Sequence, residues 1–320
     1  MEAIMAKVVV LNGDVVNYDG QIDWQALADD VTVYGVTATD EILARVAGAE
    51  VVVTKEMPLP GAIVRQFPAS VRLVVEAGTG YNNHDLHALR DMGITLTNIP
   101  AYSTQRVAHT AIMLMLNLAS SMQVQLRMLA RGDHRNFSNH LLVPHVELNG
   151  KTLGVVGFGH IGREIIKVAQ ALGMHILVAT RTKRADRDGI HFTTQAELLA
   201  QSDFVSLNLP LTEQTRHMIN AETLAQMKPS AFLINTARGG LVDEPALITA
   251  LQAGTIAGAG LDVQEVEPLP DDSPLFDLPS VIVTPHMGWR GLETRQRLAR
   301  LVGANITAFL AGKPINVVGD

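Results

Sequence analysis

Short apolar runs of strand length alternate with stretches of helical spacing from one end of the chain to the other. In the first third, these runs fall at residues 8–11, 51–54, 73–76 and 94–97, with a further candidate at 31–34. Between them, residues 23–28, 40–47 and 84–92 read as helices. The runs lack a strict apolar–polar alternation, as expected of parallel strands covered on both faces. Four or five such strands interleaved with helices predict a small flavodoxin-like unit.

Residues 103–131 then read as one long helix. Ser103 is a suitable N-cap, Val107, Ala111, Leu114, Leu118, Met122 and Leu126 recur every three or four positions, and Gly132 stops the run. A helix this apolar is buried against another element or a second subunit, and spacing alone does not choose. Beyond it, strands are predicted at 152–156, 176–179, 204–207, 231–235, 260–263 and 281–284, with helices at 161–172 and 244–253 among them. Six parallel strands suit a dinucleotide-binding domain. The last helix, 292–310, ends at Gly312 ahead of Pro314 and is expected to return to the first unit. The predicted fold class is therefore α/β with two doubly wound parallel-sheet domains. Residues 101–286 form a Rossmann domain, and residues 1–100 plus 287–320 form a discontinuous flavodoxin-like domain.

Composition narrows the function. Apolar residues make up 47% of the 320, ample for two cores, and 25 basic against 32 acidic side chains give a formal charge of -7. Nothing here attracts nucleic acid or an anionic membrane, so an anionic substrate needs a locally positive site. The absence of cysteine excludes disulfide scaffolds, thiolate metal sites and thiol catalysis. The start, MEAIMAKVVVLNGD, lacks a basic n-region, and the apolar stretch 108–118 is interrupted by His109, Thr110 and Asn117. A cytoplasmic protein is expected.

The strand 152–156 runs into Gly157-Phe158-Gly159-His160-Ile161-Gly162 and then a helix. The first glycine serves the tight turn, the second lets backbone approach a diphosphate, and the third allows close helix–strand packing. The phosphates then rest on N–H groups at the helix N-terminus. The acidic residue that normally follows about 20 positions later, to hold the adenosine ribose, is missing. The second strand instead ends in Thr180-Arg181-Thr182-Lys183-Arg184. A 2′-phosphate gains charge-assisted hydrogen bonds from Arg181, Thr182 and Lys183, so NADP(H) is favoured, with NAD(H) possible. The alternative is a merely solvated basic loop.

Three further segments sit where predicted strands end, the edge at which doubly wound sheets bind ligands. They are INTARGG, GLDVQEVEP and TPHMGW, and each contributes one functional side chain: Arg238, Glu267 and His286. Their order and wording resemble the D-isomer-specific 2-hydroxyacid dehydrogenases over nearly the whole chain. Within that family, EAGTGYNNHDL and TPHMGWRGLETRQRL look most like glycerate dehydrogenases and hydroxypyruvate or glyoxylate reductases.

The resemblance implies a homodimer in which Arg238 binds the substrate, Glu267 is the carboxylate beside the acid and His286 is the proton donor. Histidine donates a proton near neutral pH and takes it back in reverse. The resemblance also implies a substrate carboxylate held by the N–H groups of Thr79 and Gly80, and a nicotinamide carboxamide received by Asp262. Lys55, Met57 and Trp289 are candidates for the substrate wall. The cofactor set is completed by Thr104, Asn208, Leu209, Pro210, Thr215, Thr236, Ala237 and Gly288. Gln264 and Asn208 stand where relatives often carry an aromatic residue and a histidine.

The expected function is reduction of a small 2-keto acid, hydroxypyruvate or glyoxylate, to the D-2-hydroxy acid. The alternatives are another donor on the same fold (a bulkier keto acid, phosphite, formate) and a non-catalytic, nucleotide-sensing binding protein. No metal is expected. His84 and His87 are three apart but lack a third ligand and read as solvated surface, and His134, His140 and His145 are irregularly spaced. Gly150-Lys151-Thr152 lacks the first glycine of a P-loop.

Overall fold

A computed structural model describes residues 6–138, 140–182 and 184–319. The chain divides into two compact units: one runs up to Ser103 and resumes at Arg290, and the other comprises Thr104–Trp289. The crossings lie a few residues beyond the boundaries read from the sequence.

The first unit holds β1 (Lys7–Val10), β2 (Asp30–Val33), β3 (Val51–Thr54), β4 (Leu73–Glu76) and β5 (Thr95–Thr97). They form one parallel sheet in the order β2-β1-β3-β4-β5, the flavodoxin-like order. Every residue of β3 and β4 is buried, as the unbroken apolar runs require. The predicted helices here are shorter than their spacing suggests. Residues 23–28 contain one 3-10 turn, Gln25–Leu27, and 40–47 contain a 3-10 turn followed by Ile42–Arg45. The helix Leu292–Leu310 packs on β4 and on that first turn. It is also pinned by charge: Arg295, 2% exposed, forks onto both Asp19 oxygens at 2.8 and 2.6 Å and donates to the Val16 carbonyl at 2.9 Å.

The second unit holds β6 (Thr152–Val156), β7 (His175–Ala179), β8 (Ile190–Phe192), β9 (Phe204–Leu207), β10 (Phe232–Asn235), β11 (Gly258–Leu261) and β12 (Val281–Val283). All are parallel, in the order β12-β11-β10-β9-β6-β7-β8. The sheet has seven strands where the sequence suggests six. The extra strand, β8, is three residues long at the sheet edge, too short to show a pattern. One face buries Leu114, Met115 and Leu118 with Ile165 and Phe204, and the other buries Leu198, Leu207, Leu233 and Leu247. The order reverses between β9 and β6, which opens a crevice at their C-terminal ends.

The predicted long helix is two helices, Thr104–Ala119 and Met122–Ala130, meeting at 66°. Ser121 takes a left-handed backbone at φ 46, and its hydroxyl donates to the Pro144 carbonyl at 2.7 Å. Apolar residues continue at helical spacing across this break, so periodicity cannot see it. The first helix is deeply buried, whereas the second has no buried residue. No single helix among the described residues is long and apolar enough to cross a membrane.

Candidate active site

The glycine turn after β6 has the space its three roles require. Gly157 has φ +97, and a Cβ there would lie 2.3 Å from the Asn208 carbonyl oxygen. A Cβ on Gly162 would lie 2.6 Å from the Gly157 carbonyl, so helix His160–Ala171 sits tightly on the strand. At Gly159 a Cβ would meet nothing within 4 Å. That glycine is therefore dispensable for packing, and its smallness keeps open the space in front of the helix N-terminus. His160 and Ile161 form the first helical residues behind it.

The neighbouring strand ends supply polar groups in the same crevice. Asn208 follows β9; its N–H donates to Val156 and its amide nitrogen to Ser206, while its buried Oδ1 has no partner among the described residues. Thr236 follows β10, and its buried hydroxyl also lacks one. Buried polar atoms are ordinarily paired, so two orphans at the ends of β9, next to the glycine-turn strand, and β10, next but one, fit a nucleotide that supplies the partners. Leu209 and Pro210 continue from Asn208, and the Thr215 hydroxyl caps that loop by donating to the Pro210 carbonyl at 2.9 Å. Thr104 opens its helix in a buried position.

At the end of β7, where a ribose acid would stand, the residue is Thr180, whose hydroxyl donates to the Thr182 carbonyl at 2.6 Å. Arg181 is exposed. Lys183, assigned to a 2′-phosphate, lies outside the described residues. Sequence reasoning missed what surrounds Phe158. The guanidinium carbons of Arg163, Arg184 and Arg187 lie 5.8, 5.6 and 5.4 Å from its ring centroid, three cations around one ring. Their spacing in the sequence follows no motif.

The catalytic candidates come from β10, β11 and β12, adjacent in the sheet. Arg238 follows β10; its Nη1 donates to the Ala237 carbonyl at 2.7 Å, and its own carbonyl accepts from Asn235 at 2.9 Å. The next residue, Gly239, presses on the loop after β11: a Cβ there would lie 1.8 Å from the Gln264 oxygen. That loop carries Glu267, whose Oε1 accepts from the Gln264 N–H at 3.0 Å. Its Oε2 lies 2.8 Å from His286 Nδ1. His286 has φ 48, a left-handed conformation uncommon outside glycine, held by its N–H donating to the Asp262 carbonyl at 2.9 Å.

Asp262, 1% exposed, organises this turn. It accepts from the Thr284 hydroxyl at 2.6 Å and from the N–H groups of Met287 and Gly288 at 2.9 and 2.8 Å. Burial pushes its carboxyl above the ordinary value, against the pull of these three bonds. A carboxylate has about four acceptor sites, so one remains for a ligand donor. Trp289 is buried, 3% exposed.

In the first unit, the loop after β4 carries Thr79 and Gly80. The Gly78 and Thr79 carbonyls accept from Ile99 N–H at 2.8 Å and Asn98 Nδ2 at 2.7 Å. Among the described residues, the Thr79 and Gly80 N–H groups donate to nothing in the chain. Lys55, expected on a cleft wall, is 4% exposed, with its ammonium 2.6 Å from Glu56 Oε1. His84 corrects another expectation. It is 6% exposed rather than solvated, its Nε2 lies 3.0 Å from the Thr54 hydroxyl, and only His87 is on the surface. No group of His, Asp and Glu among the described residues is arranged to hold a metal.

The model of the D-isomer specific 2-hydroxyacid dehydrogenase NAD-binding domain matches residues 112–288, more than half of the chain. The chain belongs to that family. A hydroxypyruvate reductase of Blautia hydrogenotrophica is 35% identical over 98% of this chain and 99% of its own. A glycerate dehydrogenase of Methylorubrum extorquens is 41% identical over 87% of this chain and 88% of its own. The crystal structure of a glyoxylate reductase from Paecilomyes thermophila superposes with a TM-score of 0.86 at 32% identity, covering 98% of both chains. This family member thus carries a nicotinamide-nucleotide domain in its second unit. The turn after β6 and the orphaned Asn208 and Thr236 atoms fit such a ligand.

Proposed function

We propose that the chain is an NADP(H)-preferring reductase of small 2-keto acids, with glyoxylate and hydroxypyruvate as leading substrates and the D-2-hydroxy acid as product. The observation that carries this reading is the His286–Glu267 pair at 2.8 Å, on the strand end next but one to that bearing Arg238, in a domain with an open glycine turn. The names borne by the relatives above support the substrate class.

The nucleotide, when bound, supplies the hydride. The chain's own task is to orient the keto acid and to manage one proton. Arg238 forks onto the substrate's carboxylate and carbonyl oxygen, fixing orientation and stabilising the developing alkoxide. The Thr79 and Gly80 N–H groups, which donate to nothing among the described residues, suit the carboxylate. His286 gives its proton to the alkoxide through Nε2, because Nδ1 is engaged by Glu267, which orients the ring and supports the imidazolium. In the oxidising direction the same imidazole takes the proton back.

NADP(H) preference rests on Thr180 in place of an acid and on the basic loop that follows. A homodimer is supported by the exposed apolar residues on the second half of the broken helix and in the segment after it, which includes the short helix Arg135–Ser138. Leu126, Leu129, Phe137 and Leu141 are 57, 42, 77 and 44% exposed. The deciding experiment is a spectrophotometric panel of 2-keto acids against NADPH and NADH. Oxidation of NADPH by glyoxylate or hydroxypyruvate supports the reading. Tight nucleotide binding without turnover of any keto acid would replace it with a nucleotide-sensing binding protein.

A further inference from the structure

Beneath the Gly78–Gly80 loop lies a buried charged corner that the mechanism above does not use. Glu76 ends β4 and is 1% exposed, paired in register with Thr54 at the end of β3. Its Oε2 accepts from the Thr54 hydroxyl at 3.1 Å and its Oε1 from the Glu56 N–H at 3.2 Å. Glu56 needs that anchor, because its backbone is left-handed at φ 53. Asn12 grips the preceding residue at both ends: its Oδ1 accepts from the Lys55 N–H at 2.9 Å and its amide donates to the Lys55 carbonyl. A Cβ on Gly78 would lie 2.7 Å from Glu76 Oε1 and 3.2 Å from Lys55 Nζ, so carboxyl and ammonium both border the loop that carries Thr79 and Gly80.

We infer that Glu76 is a positioning residue for the substrate carboxylate: it holds the Lys55–Glu56 turn beneath the Gly78–Gly80 loop, and its own charge sets how strongly that corner attracts an anion. The inference rests on the reading of the Thr79 and Gly80 N–H groups as a binding place for the substrate carboxylate. Protonated, Glu76 adds no charge beside the loop. Ionised, it adds one negative charge there, which opposes an anionic substrate.

Burial pushes the Glu76 carboxyl up to about 7, although the Lys55 charge and its two hydrogen bonds pull the other way. The other groups that face it are Lys55 and Glu56 on the turn after β3, His84 ahead of helix Leu86–Asp91, and Tyr102 beyond β5. Burial lowers Lys55, but Tyr102, Glu56 and Glu76, which are negative at the alkaline pH where a lysine titrates, outweigh it and keep its ammonium charged near pH 7. Burial holds His84 down to about 4 and raises the Tyr102 phenol, so both stay neutral near pH 7. The charge of the corner then changes at Glu76.

The test is the pH dependence of KM and kcat for glyoxylate with NADPH, in the unmodified protein and in Glu76→Gln, which keeps an acceptor for the Glu56 N–H. As pH rises from about 6 to about 8, KM of the unmodified protein should rise on the order of tenfold more than that of Glu76→Gln, the effect of one charge several ångströms from an anion. The kcat profiles should coincide. Parallel KM profiles, or a displaced kcat profile, would overturn the inference. So would a pH-independent KM in the unmodified protein, which needs no variant to fold. Turnover with such a flat KM removes this inference alone, whereas absence of turnover removes the functional reading with it.

Discussion

His286 Nδ1 lies 2.8 Å from Glu267 Oε2, and the other oxygen of that carboxylate is tied to the Gln264 N–H at 3.0 Å. The imidazole therefore leans on a carboxylate that is itself fixed to its own loop. This bond fixes which ring nitrogen faces Glu267 and so which one serves the substrate.

His286→Ala should lower kcat by about two to four decades, the scale of a lost general acid, with NADPH binding retained. Glu267→Gln keeps a hydrogen bond but not the charge and should cost less, about one to three decades. Steady-state kinetics beside fluorescence titration of NADPH checks both, and unchanged turnover in either would remove that residue from the proton path.

The two ends of the glycine turn should separate folding from binding. Gly159→Val adds a side chain where a Cβ meets nothing within 4 Å. It should leave the melting temperature in place while weakening NADPH by roughly a hundredfold, through lost phosphate contacts. Gly157→Ala, strained at φ +97 and pressed on the Asn208 carbonyl, should lower the melting temperature by several degrees. Equal melting behaviour would contradict this assignment.

If the basic loop after β7 reads the 2′-phosphate, Arg181→Ala combined with Lys183→Ala should raise KM for NADPH about tenfold or more and leave KM for NADH nearly unchanged. Equal changes in the two would show that the loop does not distinguish the cofactors.

Leu126→Asp puts a charge among these exposed apolar residues, at a position 57% exposed. Little change in monomer stability is expected at such a site. Sedimentation should report a monomer in place of a dimer; a dimer that persists would remove these residues from the interface.

Glu76 and His84 should offset each other in stability. Burial raises Glu76 from 4.5 to about 7, so between those values the folded state holds a proton the unfolded chain has lost, and stability falls as pH rises. Burial lowers His84 from 6.5 to about 4, so the unfolded chain holds the extra proton and stability rises with pH. Across about pH 4.5 to 6.5 the slopes cancel, and the 3.7 Å contact joins neutral groups. Urea midpoints of Glu76→Gln should therefore rise with pH in that window and those of His84→Asn should fall. Two variants with the same slope would refute the pairing.

Much of this molecule was written locally. Unbroken apolar runs such as 51–54 and 73–76 announced parallel strands buried on both faces. The glycine turn after β6 was legible because each glycine answers a steric demand within a few residues of itself. The two-unit α/β plan and the family followed from such segments and their order. Tertiary structure decided what depends on partners distant in sequence. It broke one periodic helix at Ser121, where the Pro144 carbonyl takes the hydroxyl, although the apolar spacing runs on. It added β8, which exists only by pairing with β7. It drew His84, Thr54, Lys55 and Glu76 into one dry corner, where burial rather than residue type sets their protonation. Spacing along a chain encodes which face is apolar; how far a charge is removed from water is a property of everything packed around it.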